Sequence, residues 1–160
     1  MTIKAGDRMP AGTFKVMGED GPSDLTSAQL FDGKRVALFS VPGAFTPTCS
    51  AKHLPGYLDH AAELRAKGVD TIACMSVNDV YVMGAWGKSA GADGKVLMLA
   101  DGSGDYARAL GLEQNLMSAG LGMRGQRFAM LVDNGVATKV LVEAPREFKV
   151  SSAEYLLGQL

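Results

Sequence analysis

Only 2 cysteines, 2 histidines and 1 tryptophan occur among the 160 residues. Two thiols cannot build a disulfide framework, and a chain of this length needs neither a disulfide nor a structural metal to bury a core. The histidines, His53 and His60, stand apart from other ligand-type residues. No metal site is therefore expected, and each histidine reads as a helix-surface or packing residue. Charge excess is missing too: the formal net charge is -1 and the sequence pI is about 6.1. Without a basic stripe, neither a nucleic acid nor an anionic membrane surface is an expected partner. No apolar run approaches the roughly 20 residues that cross a bilayer. The opening residues, Met1-Thr2-Ile3-Lys4-Ala5-Gly6-Asp7, lack the apolar core of a secretion signal. Cytoplasmic placement is expected, where a small number of thiols stays reduced. Repeats, linkers and low-complexity tracts are also absent, so residues 1–160 read as a single domain.

Against these absences stands a clear alternation of apolar segments. Arg35 to Val41, Val69 to Val77, Val96 to Ala100 and Phe128 to Val132 are almost continuously apolar, as strands covered on both faces must be. Between the first two, Leu54, Leu58, Ala61 and Leu64 recur near the helical period and Gly68 ends the pattern. Pro55 lies inside this helix, which predicts a kink close to Cys49. Asp79 to Ala90 reads as a second helix capped by Asn78 or Asp79, and Asp105 to Leu112 as a short third. Asp133-Asn134-Gly135 joins two apolar runs as a tight hairpin, since Asn-Gly tolerates positive φ. Ser151 to Leu160 reads as a closing helix capped by Ser151 or Ser152.

A β-α-β unit followed by a hairpin and a terminal helix is the order of a thioredoxin-like α/β fold. The expected architecture is a central mixed β-sheet flanked by helices, with an N-terminal extension of extra strands and a helix around Ser27 to Phe31. Asn115 to Gly125, rich in Gly and Met, is expected to be a surface loop or a frayed helix. Its Gly120-Leu-Gly-Met-Arg-Gly125 string satisfies G-x-G-x-x-G but precedes a strand, so it reads as loop and not as a dinucleotide site.

Chemistry points to one corner. The run Val36 to Val41 breaks into Pro42-Gly43-Ala44-Phe45-Thr46-Pro47-Thr48-Cys49, where a helix begins. A lone cysteine is by default a small buried hydrophobe. At a helix start, however, the partial positive charge favours the thiolate. A thioredoxin-type oxidoreductase would carry Cys-x-x-Cys here, whereas this chain has Thr46-Pro47-Thr48-Cys49. Disulfide exchange needs the second thiol; a hydroxyl suits hydrogen bonding to a peroxide oxygen.

Pro42-x-x-x-Thr46-x-x-Cys49 resembles the active-site motif of the peroxiredoxins. The longer string from Val41 to Ser50, with Lys52-His53-Leu54-Pro55-Gly56-Tyr57, is similar to the peroxiredoxin 5 (type II) subfamily. The likeness continues through Cys74-Met-Ser-Val-Asn-Asp79, Met83-Gly-Ala-Trp86, Leu99-Ala-Asp101 and Arg127-Phe128. The resemblance implies a thiol peroxidase for hydrogen peroxide and alkyl hydroperoxides, working without metal, haem or flavin. Cys49 would be the attacking thiolate, which becomes a sulfenic acid. Thr46 would bond the peroxide, backbone N–H groups near Gly43 and Cys49 would hold its oxygens, and Pro42 would shield the sulfur from water. The resemblance also selects Arg127 over Arg124 as the cation beside the sulfur. It further implies a homodimer, with Phe45 either a dimer contact or a pocket wall. Regeneration would fall to glutathione with glutaredoxin, or to thioredoxin. Cys74 is 25 residues after Cys49 by numbering and stays open between a resolving partner and a buried core thiol.

Overall fold

The computed structural model describes residues 1–160. Its elements follow as β1 (Thr13–Gly18), β2 (Gly21–Thr26), α1 (Ser27–Phe31) and β3 (Arg35–Ser40). A π-turn (Cys49–His53) then leads into α2 (Leu54–Asp59), α3 (Ala61–Ala66), β4 (Thr71–Ser76), α4 (Val80–Ala90), β5 (Leu97–Ala100) and α5 (Asp105–Leu110). The chain closes with β6 (Glu113–Leu116), β7 (Gly122–Gly125), β8 (Phe128–Asp133), β9 (Val136–Val142) and α6 (Ala153–Gly158). Seven strands form one mixed sheet in the order β2-β1-β5-β4-β3-β8-β9. Strands β3, β4 and β5 are parallel, while β8 pairs antiparallel with β3 and β1 antiparallel with β5. This is the thioredoxin-like arrangement, with β1, β2 and α1 as the N-terminal addition.

The central strands are almost continuously apolar, with polar residues only at their ends, because both faces are covered. Successive residues alternate between two cores. Phe39, Ile72, Cys74 and Leu131 face Leu54, Tyr57, Leu64, Met83 and Trp86 on one side. Leu38, Ala73, Met75 and Met130 face Phe14, Phe31, Tyr106 and Leu110 on the other. Local chemistry sets the element ends. Asp79 accepts from Val82 N–H at 2.8 Å to cap α4, and Ser152 accepts from Tyr155 N–H at 3.1 Å to cap α6. Thr26 and Gln29 form a reciprocal capping box on α1. The hairpin turn places Asn134 at φ 48 and Gly135 at φ 81, as Asn-Gly predicts.

Two segments carry more structure than their patterns suggest. The kink attributed to Pro55 is a π-turn: Leu54 N–H bonds the carbonyl of Cys49, five residues back. Pro55 has no N–H to give, and in a regular helix its ring would crowd the Ala51 carbonyl; the wider turn relieves this and Pro55 falls in the first turn of α2. A second break falls at His60, with φ -102 and ψ 11. The segment Asn115 to Gly125, expected as loop or frayed helix, belongs instead to a two-stranded hairpin of β6 and β7. Its sequence has no period-2 alternation; tertiary bonds decide it, with Gln114 donating to Gly125 O at 2.9 Å and Gln126 to Glu113 O at 3.2 Å.

Candidate active site

The site begins where β3 ends. Val41 N–H still bonds Met75 O at 3.2 Å, after which the chain turns through Pro42 to Thr46. Phe45 takes φ 63, a left-handed value uncommon for an aromatic residue. The surrounding bonds hold it there. Thr46 donates its hydroxyl to Gly43 O at 2.7 Å, and Ala44 N–H donates to Asn78 Oδ1 at 2.9 Å. Ser76 Oγ donates to the same oxygen at 2.6 Å, which ties the turn to the end of β4. Gly43 is closely approached: a Cβ there would lie 3.0 Å from Arg124 Nη1 and 3.1 Å from Thr46 Cγ2, so either side chain would have to give way. Helical geometry starts at Pro47, the first-turn position that tolerates proline, and Cys49 follows two residues on.

Cys49 is fully buried. Arg127 donates Nη2 to its Sγ at 3.2 Å, while Arg124 donates Nε to Leu121 O at 2.7 Å and Nη1 to Pro42 O at 3.3 Å. One arginine meets the sulfur and the other braces the turn. The second nitrogen of the Arg127 fork, Nη1, lies 2.9 Å from Nδ1 of buried His53. His53 Nε2 in turn lies 2.9 Å from Ser151 O. A carbonyl can only accept, so Nε2 carries the ring proton and Nδ1 receives the arginine N–H. Burial, with the Arg127 charge adding to it, pushes His53 down to about 3; the ring is neutral at physiological pH.

The same carbonyl accepts from Tyr57 OH at 2.9 Å, and burial raises the Tyr57 hydroxyl well above its usual range. Ser151 is itself anchored by Glu143, whose carboxylate accepts from Ser151 N–H at 2.8 Å and Oγ at 2.7 Å. It also accepts from Val150 N–H at 2.9 Å and Lys149 N–H at 2.8 Å. Burial alone would raise Glu143, but the Ser151 hydroxyl and the three backbone donors hold it below the ordinary carboxylate value. Phe148 completes the enclosure, its ring centroid 5.8 Å from the Arg127 guanidinium carbon and 5.0 Å from the His53 ring. A cavity of about 400 Å³ opens onto Pro42, Thr48, Gln126, Arg127 and Phe148.

A guanidinium on a buried sulfur sets a permanent cation there, which stabilises negative charge that develops on an oxygen beside it. The structure brings Pro42, Gly43, Thr46, Cys49 and Arg127 into this one corner. Cys74 lies mid-strand opposite Phe39, in the same core layer as Cys49. Both thiols are unbonded. Burial pushes the Cys74 thiol far up, and Cys49 nearby adds to it. Phe45 is half exposed, with Trp86 6.3 Å away; Trp86 itself is buried and donates to Ser50 Oγ at 3.2 Å.

His53, read from sequence as a helix-surface or packing residue, is a direct partner of Arg127. Its four-residue spacing from Cys49 on one helical face was the available signal. Glu143, Ser151 and Phe148 had no such signal, since the loop after β9 has no pattern. No three His, Cys, Asp or Glu side chains group closely enough to hold a metal ion, and no helix is long and apolar enough to cross a membrane.

Known proteins share this architecture throughout. Residues 4–157 match the redoxin family. Peroxiredoxin-2B of Arabidopsis thaliana is 50% identical over 159 residues, 99% of this chain and 98% of that protein. Among solved structures, reduced Prx3 of Vibrio vulnificus in complex with hydrogen peroxide is 49% identical with a TM-score of 0.95, covering 99% of both chains. Peroxiredoxin 5 of Alvinella pompejana is 34% identical with a TM-score of 0.84, over 97% of this chain and 96% of that one. A chain this similar along its whole length, with a buried thiol under an arginine at the strand-to-helix corner, belongs to the redoxin family and is one of its peroxiredoxins, the thiol-dependent peroxidases.

Proposed function

We propose that Cys49 is the peroxidatic residue and that hydrogen peroxide and alkyl hydroperoxides are its substrates. The observation that carries the reading is the 3.2 Å contact of Arg127 Nη2 with Cys49 Sγ, made by an arginine that also lines the cavity. The thiolate attacks one peroxide oxygen, the O–O bond breaks, and the other oxygen leaves as alkoxide or hydroxide and takes up a proton. Cys49 becomes a sulfenic acid and the peroxide is reduced by two electrons. Arg127 stabilises the charge that moves onto the leaving oxygen. The Thr46 hydroxyl, on Gly43 O in the resting site, turns to the peroxide. Backbone N–H groups of Gly43 and Cys49 hold the oxygens, and Pro42 at the cavity edge limits water.

Regeneration by glutathione with glutaredoxin, or by thioredoxin, completes the cycle. Attack by an external thiol is favoured by the complete burial of Cys74 within β4, since mid-strand thiols cannot approach a helix start without rearrangement. The second reading, Cys74 as resolving partner, is supported by its position in the same core layer as Cys49. A homodimer through exposed Phe45, and cytoplasmic action in keeping with only 2 cysteines, belong to the same proposal.

The test is to mix reduced protein with one equivalent of hydrogen peroxide, without thiol, and map the intact mass within seconds. One added oxygen on Cys49 is expected; a loss of two hydrogens with a Cys49–Cys74 link would select the second reading. An unmodified Cys49 would end the proposal. With a thiol reductant present, continuous peroxide consumption is expected, and Cys49→Ser should abolish it.

A further inference from the structure

Residues 144–148 line one side of the 400 Å³ cavity. Glu147 N–H donates to Ala144 O at 3.0 Å, which closes a four-residue turn with Pro145 second and Arg146 third. Arg146 has φ 66, the type II value at this position, which favours glycine or asparagine. An arginine here is strained, and strain of this kind gathers at ligand sites. The side chain is exposed and takes part in no ion pair.

Every other charged group lining the cavity is engaged. Glu143 accepts from Lys149, Val150 and Ser151; Glu147 lies 3.6 Å from Lys149 Nζ; Arg127 holds Cys49 and His53. Arg146 is the lining charge left for a visitor.

We propose that Arg146 is a specificity-determining residue that receives the carboxylate of a small polar thiol, the reductant of oxidised Cys49. This rests on the reading of Cys49 as a sulfenic acid after turnover. The thiol sulfur bonds to Cys49 Sγ, the S–O bond breaks, and the departing hydroxide takes the thiol proton as water. A second thiol then attacks the mixed disulfide, releasing the Cys49 thiolate and a symmetrical disulfide.

The test uses protein oxidised by one equivalent of peroxide, checked by intact mass, then mixed with 3-mercaptopropionate, 2-mercaptoethanol or cysteamine while sulfenic acid decay is followed. The readout is the rate ratio of the anionic to the neutral thiol. This ratio should fall about two- to fivefold in Arg146→Gly, the range of an exposed ion pair, and added salt should lower it in the wild type. Cysteamine should gain in the variant. Glycine adopts φ 66 without strain, so the same variant should unfold at a higher temperature. An unchanged thiol ratio in a folded Arg146→Gly protein would overturn the proposal. A protein that shows no added oxygen before thiol is mixed would overturn the Cys49 reading, and this inference with it.

Discussion

His53 Nδ1 lies 2.9 Å from Arg127 Nη1, so a neutral imidazole fixes one arm of the guanidinium while the other arm reaches the sulfur. The histidine adds no charge to the corner, so the guanidinium is the cation left at the sulfur. Its own orientation comes from Ser151 O, and that of Ser151 from Glu143. A fork needs two fixed points to be aimed, and this chain of bonds supplies the second.

Replacing His53 with Leu keeps the volume and removes both ring nitrogens. Arg127 then loses its anchor, and a hydrogen bond to a charged group is worth about 1.5–3 kcal/mol. The expected fall in kcat/KM for hydrogen peroxide is about 10- to 100-fold, with partial recovery in His53→Asn, whose amide oxygen can stand near Nδ1. Steady-state kinetics on the three proteins decides; equal kcat/KM in His53→Leu would remove the histidine from the mechanism.

Acid stability should follow the same network. His53 is pushed from an ordinary 6.5 to about 3, so between these values the unfolded chain binds a proton that the folded one refuses. The His53 contribution to stability is full above pH 6.5 and falls as pH drops toward 3, by about 1.4 kcal/mol per pH unit once unfolded His53 is protonated. Partly exposed His60, raised by its bond to Glu63, acts in the opposite direction. Glu143, also lowered, adds to the loss below its ordinary 4.5. Urea unfolding at pH 7, 5.5 and 4.5 measures the slope. His53→Leu should flatten it between 6.5 and 4.5, and a wild-type slope retained in that variant would contradict the assignment.

Thr46→Val removes a hydroxyl that bonds Gly43 O at 2.7 Å, while the Thr46 N–H to Gly43 O bond at 3.4 Å remains. The turn should persist. Loss of one donor aimed at a reacting oxygen typically costs about 10²- to 10³-fold, so a fall of this order in the single-turnover oxidation rate is expected. Thr46→Ser should restore most of it. Wild-type rates in Thr46→Val would mean that the hydroxyl serves only the turn.

Cys74→Ala removes a buried sulfur from β4 and should destabilise the protein by about 0.5–3 kcal/mol. Turnover with an external thiol should continue in the folded variant. If peroxide consumption stops while circular dichroism shows an intact fold, Cys74 is the resolving thiol after all.

What was legible in the sequence is what acts over a few residues. Continuous apolar runs announced β3, β4, β5 and β8; the pairs Asn78-Asp79 and Ser151-Ser152 announced helix starts without saying which residue caps; Asn134-Gly135 announced the hairpin. Cys49 and Thr46 were read from their own octapeptide, and Arg127 from the resemblance, since spacing alone does not separate it from Arg124. The π-turn was half visible, because Pro55 forbids a regular helix without saying which irregular one replaces it. The β6–β7 hairpin was invisible, since Glu113-Gln114-Asn115-Leu116 has no alternation and forms a strand only through its partner.

The sequence by itself determined β3, β4, β5, β8 and β9, the helix starts and the strand-to-helix corner that carries Cys49, because backbone sterics and side-chain period operate locally. Tertiary structure alone decided what surrounds the sulfur. Arg127 is 78 residues from Cys49, and Ser151 is 98 residues from His53. Such partners meet only when burial of the sheet between two apolar layers brings distant segments together, and the buried polar groups must then satisfy one another.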